Sequence, residues 1–164
     1  AAAGVVSFKI EGRMKSEYYL ATVVNAYRRI LDGGWTKALA EELDCIDHRA
    51  YTTAYALGDN SDTVLPSGSQ EAGTCAFIAV VVSQKDGYVC AEMRNRFHEG
   101  DILEVLSPGS SFGKSFSVIG MRDASGERCE DAKHVQEHYT FECPFPLERG
   151  DILRRRIRSE KVAK

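Results

Sequence analysis

The chain has 164 residues, 43% hydrophobic and 27% charged, the composition of one globular domain or of a small domain with a helical extension. Its formal net charge of −3 gives no bulk footprint of a nucleic-acid binder, and no apolar run approaches the roughly 18 residues of a membrane span. Five cysteines at irregular spacing argue against a secreted disulfide framework, and A-A-A-G-V-V is no signal peptide, so a reduced, cytoplasmic protein is expected.

Residues 5–11, V-V-S-F-K-I-E, alternate as a short strand with Val6, Phe8 and Ile10 on one face. The chain opens on this run without a methionine, as part of a longer protein would. Gly12 breaks the strand, and Ser16 is placed to cap a helix from Glu17 to Asp32. Leu20, Val23, Val24, Tyr27 and Leu31 recur there at helical spacing, giving a stripe that must dock on the β-rich part of the chain or on a second copy. Gly33-Gly34 ends the helix, and a shorter one is predicted from Thr36 to Leu43. From Asp47 to Thr74 the pattern dissolves into turn-rich sequence. The expected division is a first region at 1–65, a linker at 66–74, a second region at 75–158 and a tail at 159–164.

After the linker, C-A-F-I-A-V-V-V-S and D-G-Y-V-C-A-E-M-R-N form a hairpin pattern around residues 84–87. Further short runs follow, D-I-L-E-V-L-S, K-S-F-S-V-I-G-M-R-D, H-Y-T-F-E-C and D-I-L-R-R-R-I, with glycine turns between them. The fold class expected is mainly β: a small antiparallel β-barrel preceded by a strand–helix–helix segment of α/β character. R-F-H-E-G-D-I-L and P-L-E-R-G-D-I-L repeat one turn, in which glycine bends the chain, aspartate caps it and Ile-Leu enters the core.

The chemistry-bearing residues each admit a plain alternative. Glu11, Arg13 and Lys15 follow a strand, where catalytic groups sit in β/α barrels; Arg offers a fork for a carboxylate or phosphate, and Glu can take a proton or orient the Arg. On spacing alone, a solvated loop with a local ion pair accounts for them as well. Cys129, His134, His138 and Cys143 present two thiols and two imidazoles, but their spacing matches no usual zinc finger, so isolated structural side chains are expected and no metal is assigned. Cys75 and Cys90 sit in apolar strands as small core residues. His48 and Arg49, before Tyr51-Thr52-Thr53, either line a site or pack across a domain interface. Arg94, Asn95, Arg96 and Phe97 form a basic and aromatic patch suited to a nucleic-acid backbone, or a solvated turn. The R-R-R-I-R run at 154–158 is basic but short, and a frayed end would read the same.

S-F-K-I-E-G-R-M-K-S-E-Y-Y-L-A-T-V-V-N-A-Y-R-R-I-L-D, D-H-R-A-Y-T-T-A-Y and R-N-R-F-H-E-G-D-I-L-E-V-L-S-P occur in the same order in a known family. Together they make the chain resemble the collagenase-like peptidases of family thirty-two of the unassigned class. The resemblance implies the last part of a β/α catalytic barrel, joined to a complete C-terminal β-barrel. Several members of that family are linked to oxygen-independent hydroxylation of tRNA, ribosomal RNA or a quinone precursor, some with an iron–sulfur cluster. The family's cysteine-bearing signature is absent here, so the resemblance assigns no cluster ligand and no cofactor to this chain. It implies that Glu11, Arg13 and Lys15 are the remaining rim of an active site, and that the fragment alone is inactive. The chain departs from the family at Ala54 and Ala56-Leu57-Gly58, where G-F-x-x-G is usual.

Two functional expectations follow. One is a C-terminal fragment of a peptidase or RNA hydroxylase, its barrel assisting substrate or RNA binding through Arg94, Arg96 and Phe97. The other is an interaction module with no activity of its own. Expected partners are the missing N-terminal catalytic domain, RNA, or a second copy through the helix stripe, and not a membrane.

Overall fold

The computed structural model describes residues 4–49, 51, 58 and 72–157. Helix α1, Glu17–Gly33, begins where predicted: the Ser16 side chain accepts from Tyr19 N, and Gly34, at φ 90°, takes the backbone where a Cβ would be strained. Helix α2, Lys37–Glu41, is capped by Thr36, and a 3₁₀ turn, Glu42–Cys45, follows it. Residues 5–11 depart from expectation. They form no strand and no ladder, and Val6, Phe8 and Ile10 are exposed. Alternation alone cannot make a strand without a neighbour to receive its backbone hydrogen bonds.

Among the described residues, eight strands follow: β1 Cys75–Lys85, β2 Tyr88–Met93, β3 Phe97–His98, β4 Ile102–Leu106, β5 Ser115–Ser117, β6 Asp131–Ala132, β7 His138–Glu142 and β8 Ile152–Arg156. Six of them form one antiparallel sheet in the order β5-β4-β8-β1-β2-β7, while β3 pairs with β6. Register shifts between Phe77 and Ala79 and between Val81 and Ser83 bend the central strand β1 and curl the sheet into a half-barrel. Lys85 pairs with Tyr88 across Asp86-Gly87, both at positive φ, as a two-residue hairpin turn matched to the strand twist requires.

The repeated G-D-I-L turn is one structure used twice. Asp101 Oδ2 accepts from His98 N at 2.9 Å, and Asp151 Oδ2 accepts from Glu148 N at 3.0 Å. Gly100 N donates to Val118 O and Val118 N to Asp101 O, while Gly150 N donates to Val81 O and Val81 N to Asp151 O. The strands that leave the two turns, β4 and β8, pair with each other and set Glu104 opposite Arg154.

Inside the curl lies a core that includes Ile78, Met93, Phe97, Leu103, Phe141 and Leu153. A second cluster, Tyr18, Val23, Cys45, Ile46, Cys75, Leu106 and Ile152, joins α1 and the 3₁₀ turn to β1, β4 and β8. Here the predicted helix stripe is corrected. Tyr18, Thr22, Val23 and Ala26 are the buried residues of α1, whereas Leu20, Val24, Tyr27 and Leu31 remain exposed. The seam is further tied by the Tyr18–Phe77 ring stack at 5.4 Å and by Arg29, whose Nη2 donates to the carbonyls of Ser107, Pro108 and Gly109. Among the described residues, no helix is long and apolar enough to cross a membrane.

Candidate functional site

A cleft of about 490 Å³ opens on the same seam, lined by Met14, Lys15, Ser16, Tyr18, Tyr19, Cys45, Ile46, Asp47, Cys75, Ala76, Phe77 and Asn95. Three local devices build it. A turn closed by Lys15 N donating to Gly12 O leads into the Ser16 cap and sets Lys15 at the mouth, its Nζ 4.9 Å from the Tyr19 ring centroid. Asp47 Oδ1 accepts from Gly73 N at 2.7 Å, and Thr74 N donates to Asp44 O at 2.8 Å, which docks the 3₁₀ turn beside the start of β1. Asn95 Nδ2 donates to Phe77 O at 2.7 Å, closing the β1 side.

Of the residues singled out by sequence, Lys15 and Asn95 therefore meet at one cleft. Glu11 and Arg13 stand outside its lining. Glu11 Oε2 is 3.5 Å from Lys9 Nζ, and Glu11 Oε1 accepts from Arg13 N, a solvated local arrangement that leaves the Arg13 guanidinium without a carboxylate partner among the described residues. His48 stacks on Tyr51 at 4.3 Å, its Nδ1 2.8 Å from Arg49 O and its Nε2 3.6 Å from Asp44, while Arg49 is exposed.

The 94–97 patch does not present itself as expected. Arg94 pairs with Glu17 at 3.0 Å and Glu92 at 2.8 Å, and Arg96 is held bidentately by Asp131. Phe97 is only 1% exposed and packs edge-on against Tyr139 and Phe141. It is a core residue, because strand β3 turns its ring into the half-barrel. The basic run at 154–156 is likewise no frayed end. It is strand β8, and Arg154 is wholly buried, close to the cleft-lining Cys45, in a four-charge cluster. There Arg154 meets Glu42 at 2.7 and 2.8 Å and Glu104 at 2.9 Å, while Arg156 meets Glu104 at 2.8 and 3.0 Å. Burial alone would lower the pKa of Arg154, but the hydrogen bonds and charge of Glu42, with the charge of Glu104, outweigh it and raise it.

All five cysteines are free thiols. Cys45 and Cys75 lie together in the second core cluster and in the cleft lining. Cys143 donates to Phe145 O, and His138 Nε2 lies 3.6 Å from Glu92. Among the described residues, no three His, Cys, Asp or Glu side chains converge as metal ligands. The cysteines of this chain do not fit an iron–sulfur cluster, which needs four ligands where Cys45 and Cys75 offer two. Sequence reading missed the cleft's Tyr18, in the first turn of α1, Asp47, just after the 3₁₀ turn, and Phe77, on β1.

Residues 73–154 match the family model for the peptidase family U32 C-terminal domain, and residues 1–65 match that for peptidase family U32. The chain is 30% identical over 151 residues to tRNA hydroxylation protein P of Escherichia coli, covering 87% of this chain and 32% of that protein. It is 29% identical over 164 residues to tRNA hydroxylation protein P1 of Bacillus subtilis, covering 93% of this chain and 38% of that one. It is 28% identical to tRNA hydroxylation protein P of Haemophilus influenzae, covering 85% and 32%. The chain thus spans about a third of the length of these relatives. A solved C-terminal domain of a Geobacillus thermoleovorans protein assigned as a U32 peptidase is similar at a TM-score of 0.46 and 21% identity, covering 49% of this chain and 99% of that one. With its two regions matched by the two models of the family, the chain belongs to peptidase family U32.

Proposed function

We propose that the chain is the C-terminal portion of an enzyme of the tRNA hydroxylation class, inactive by itself, whose loop of Glu11, Arg13 and Lys15 borders the active site and faces tRNA phosphate. Similarity to tRNA hydroxylation proteins of three bacteria, over 85% to 93% of this chain, carries the reading. Two features support it. Arg13 has its guanidinium free of carboxylates among the described residues, and Lys15 stands at the mouth of a cleft beside Tyr19. The exposed Leu20, Val24, Tyr27 and Leu31 suit the remainder of the catalytic domain as their cover, with a second copy as the other occupant. A cytoplasmic setting belongs to the same reading, and a cluster in the longer protein would be held by cysteines outside this chain. Peptide hydrolysis draws only on the family's name. RNA presentation through Arg94, Arg96 and Phe97 is disfavoured, since carboxylates and the core already occupy all three.

The test is tRNA binding by this chain, read as fluorescence anisotropy across a salt titration. Binding should weaken linearly on logarithmic axes as phosphate counterions are released, and R13A/K15A should bind less tightly with a shallower slope. No binding at the lowest salt would overturn the tRNA-facing assignment.

A further inference from the structure

We propose that Cys45 and Cys75 are a redox-reactive pair, a modification site in which a peroxide-class oxidant closes a reversible disulfide across the seam between the helical segment and the half-barrel. The inference is independent of the tRNA reading and starts from backbone geometry. Thr74 N and Thr74 Oγ1 both donate to Asp44 O, at 2.8 and 3.0 Å, so residues 44 and 74 are clamped side by side. The next residue on each segment is a cysteine, and the two side chains belong to one buried cluster and one cleft lining. The approach is so close that a Cβ on Gly73 would stand 2.7 Å from Cys45 O. Both cysteines border the cleft, yet Cys45 is fully buried and Cys75 nearly so, so a small oxidant reaches the sulfurs when the seam opens locally.

The surroundings are cationic and polar on one side. Arg156 Nη1 and Thr74 Oγ1 each lie 3.8 Å from Cys45 Sγ, and Arg154 adds its charge, with Glu42 opposing it. The neighbouring Cys75 thiol holds the Cys45 thiol below its ordinary value; burial opposes this, and the charge of Arg154 reinforces it. The Arg156 guanidinium and the Thr74 hydroxyl, both on Cys45 Sγ, suit Cys45 as the attacking thiolate and Cys75 as the resolving thiol. Cys143 contrasts with the pair: burial raises its thiol, and its partner is the Phe145 carbonyl.

The chemistry balances with one peroxide. The Cys45 thiolate attacks a peroxide oxygen, the O–O bond breaks, and the departing hydroxide takes a proton to become water, leaving Cys45 as a sulfenic acid. The Cys75 sulfur then attacks the Cys45 sulfur, its proton leaves with the sulfenic oxygen as a second water, and the S–S bond forms. Two thiols lose two electrons in all, and the peroxide is reduced to two waters. A dithiol reductant reverses the step.

The experiment treats the reduced chain with hydrogen peroxide, alkylates the remaining thiols and maps peptides by mass spectrometry. Expected is a cross-linked peptide joining Cys45 to Cys75, with Cys90, Cys129 and Cys143 still alkylated and the pair restored by dithiothreitol. In C75S, Cys45 should stop at the sulfenic acid and be labelled by dimedone, a label absent from the wild type. The wild-type map needs no variant, so a misfolded C75S leaves the decision to it. Full alkylation of both Cys45 and Cys75 after Cys143 has been oxidised, or a disulfide between other cysteines, would overturn the proposal.

Discussion

Arg154→Met tests whether charge holds the seam between the helical segment and the half-barrel. Arg154 is wholly buried, and it spans Glu42 on the 3₁₀ turn and Glu104 on β4. When the guanidinium goes, Glu104 keeps Arg156 at 2.8 and 3.0 Å, whereas Glu42 keeps it only at 3.6 Å. One buried carboxylate rather than two is therefore left uncompensated. Breaking a buried pair costs roughly 3–5 kcal/mol, so the loss should fall near the lower end, at about 3 kcal/mol. Against a typical stability of roughly 5–15 kcal/mol this is a large share. Adding Glu42→Leu removes the orphaned charge and should recover most of the loss, since an apolar replacement of a buried pair is often close to neutral. Urea unfolding followed by circular dichroism is the assay; the midpoint should fall at unchanged slope. A loss under about 1 kcal/mol, the range of a solvated surface pair, would refute the reasoning, as would a double variant less stable than the single one.

Phe97→Ala should cost about 3–5 kcal/mol, read from thermal unfolding, because it empties a packed position in the core; a near-neutral result would return Phe97 to the surface. Gly73→Ala forces a Cβ to within 2.7 Å of Cys45 O and should destabilise by about 1–3 kcal/mol, with faster proteolysis after Cys45 as its signature; unchanged stability and cleavage would mean the approach is looser. For Glu104, burial pushes the carboxyl pKa up, but hydrogen bonds from Arg156 and Arg154, with their charges, prevail and hold it below the usual 4.5. A carboxylate lowered on folding stabilises fully above its unfolded value and loses that contribution as pH falls through the folded one. Melting temperature should therefore fall on acidification below about pH 4.5, with a shallower acid limb in Glu104→Gln; an identical limb in the variant would remove Glu104 from the account.

Local signals were legible in the sequence and long-range ones were not. The Ser16 cap, the Asp86-Gly87 turn and both G-D-I-L turns were readable because each is decided within a few residues. Helix α1 was found by its period, but the period could not choose between adjacent faces. The buried one is built from Val23, which belongs to the predicted stripe, with Tyr18, Thr22 and Ala26, which are polar-tipped or small, while Leu20, Val24, Tyr27 and Leu31 stay outside. Residues 5–11 carried the alternation of a strand without a partner to pair with. Arg154 looked like part of a basic tail because its carboxylates lie 112 and 50 positions away in the chain. The same holds for the cleft. Lys15 and Asn95 were both picked out, yet only the docking of the 3₁₀ turn against β1 brings them to one place with Cys45, Asp47 and Cys75.

The most direct measurement is mass spectrometry of tRNA nucleosides from Escherichia coli cells lacking their own tRNA hydroxylation protein P. These cells would be supplied with the longer protein that carries this sequence. The wild type should restore the hydroxylated nucleoside, and Arg13→Ala should not, while its melting temperature stays unchanged. Failure of the wild type to restore it would contradict the assignment to tRNA hydroxylation, and full restoration by Arg13→Ala would contradict the placement of this loop at the active-site rim.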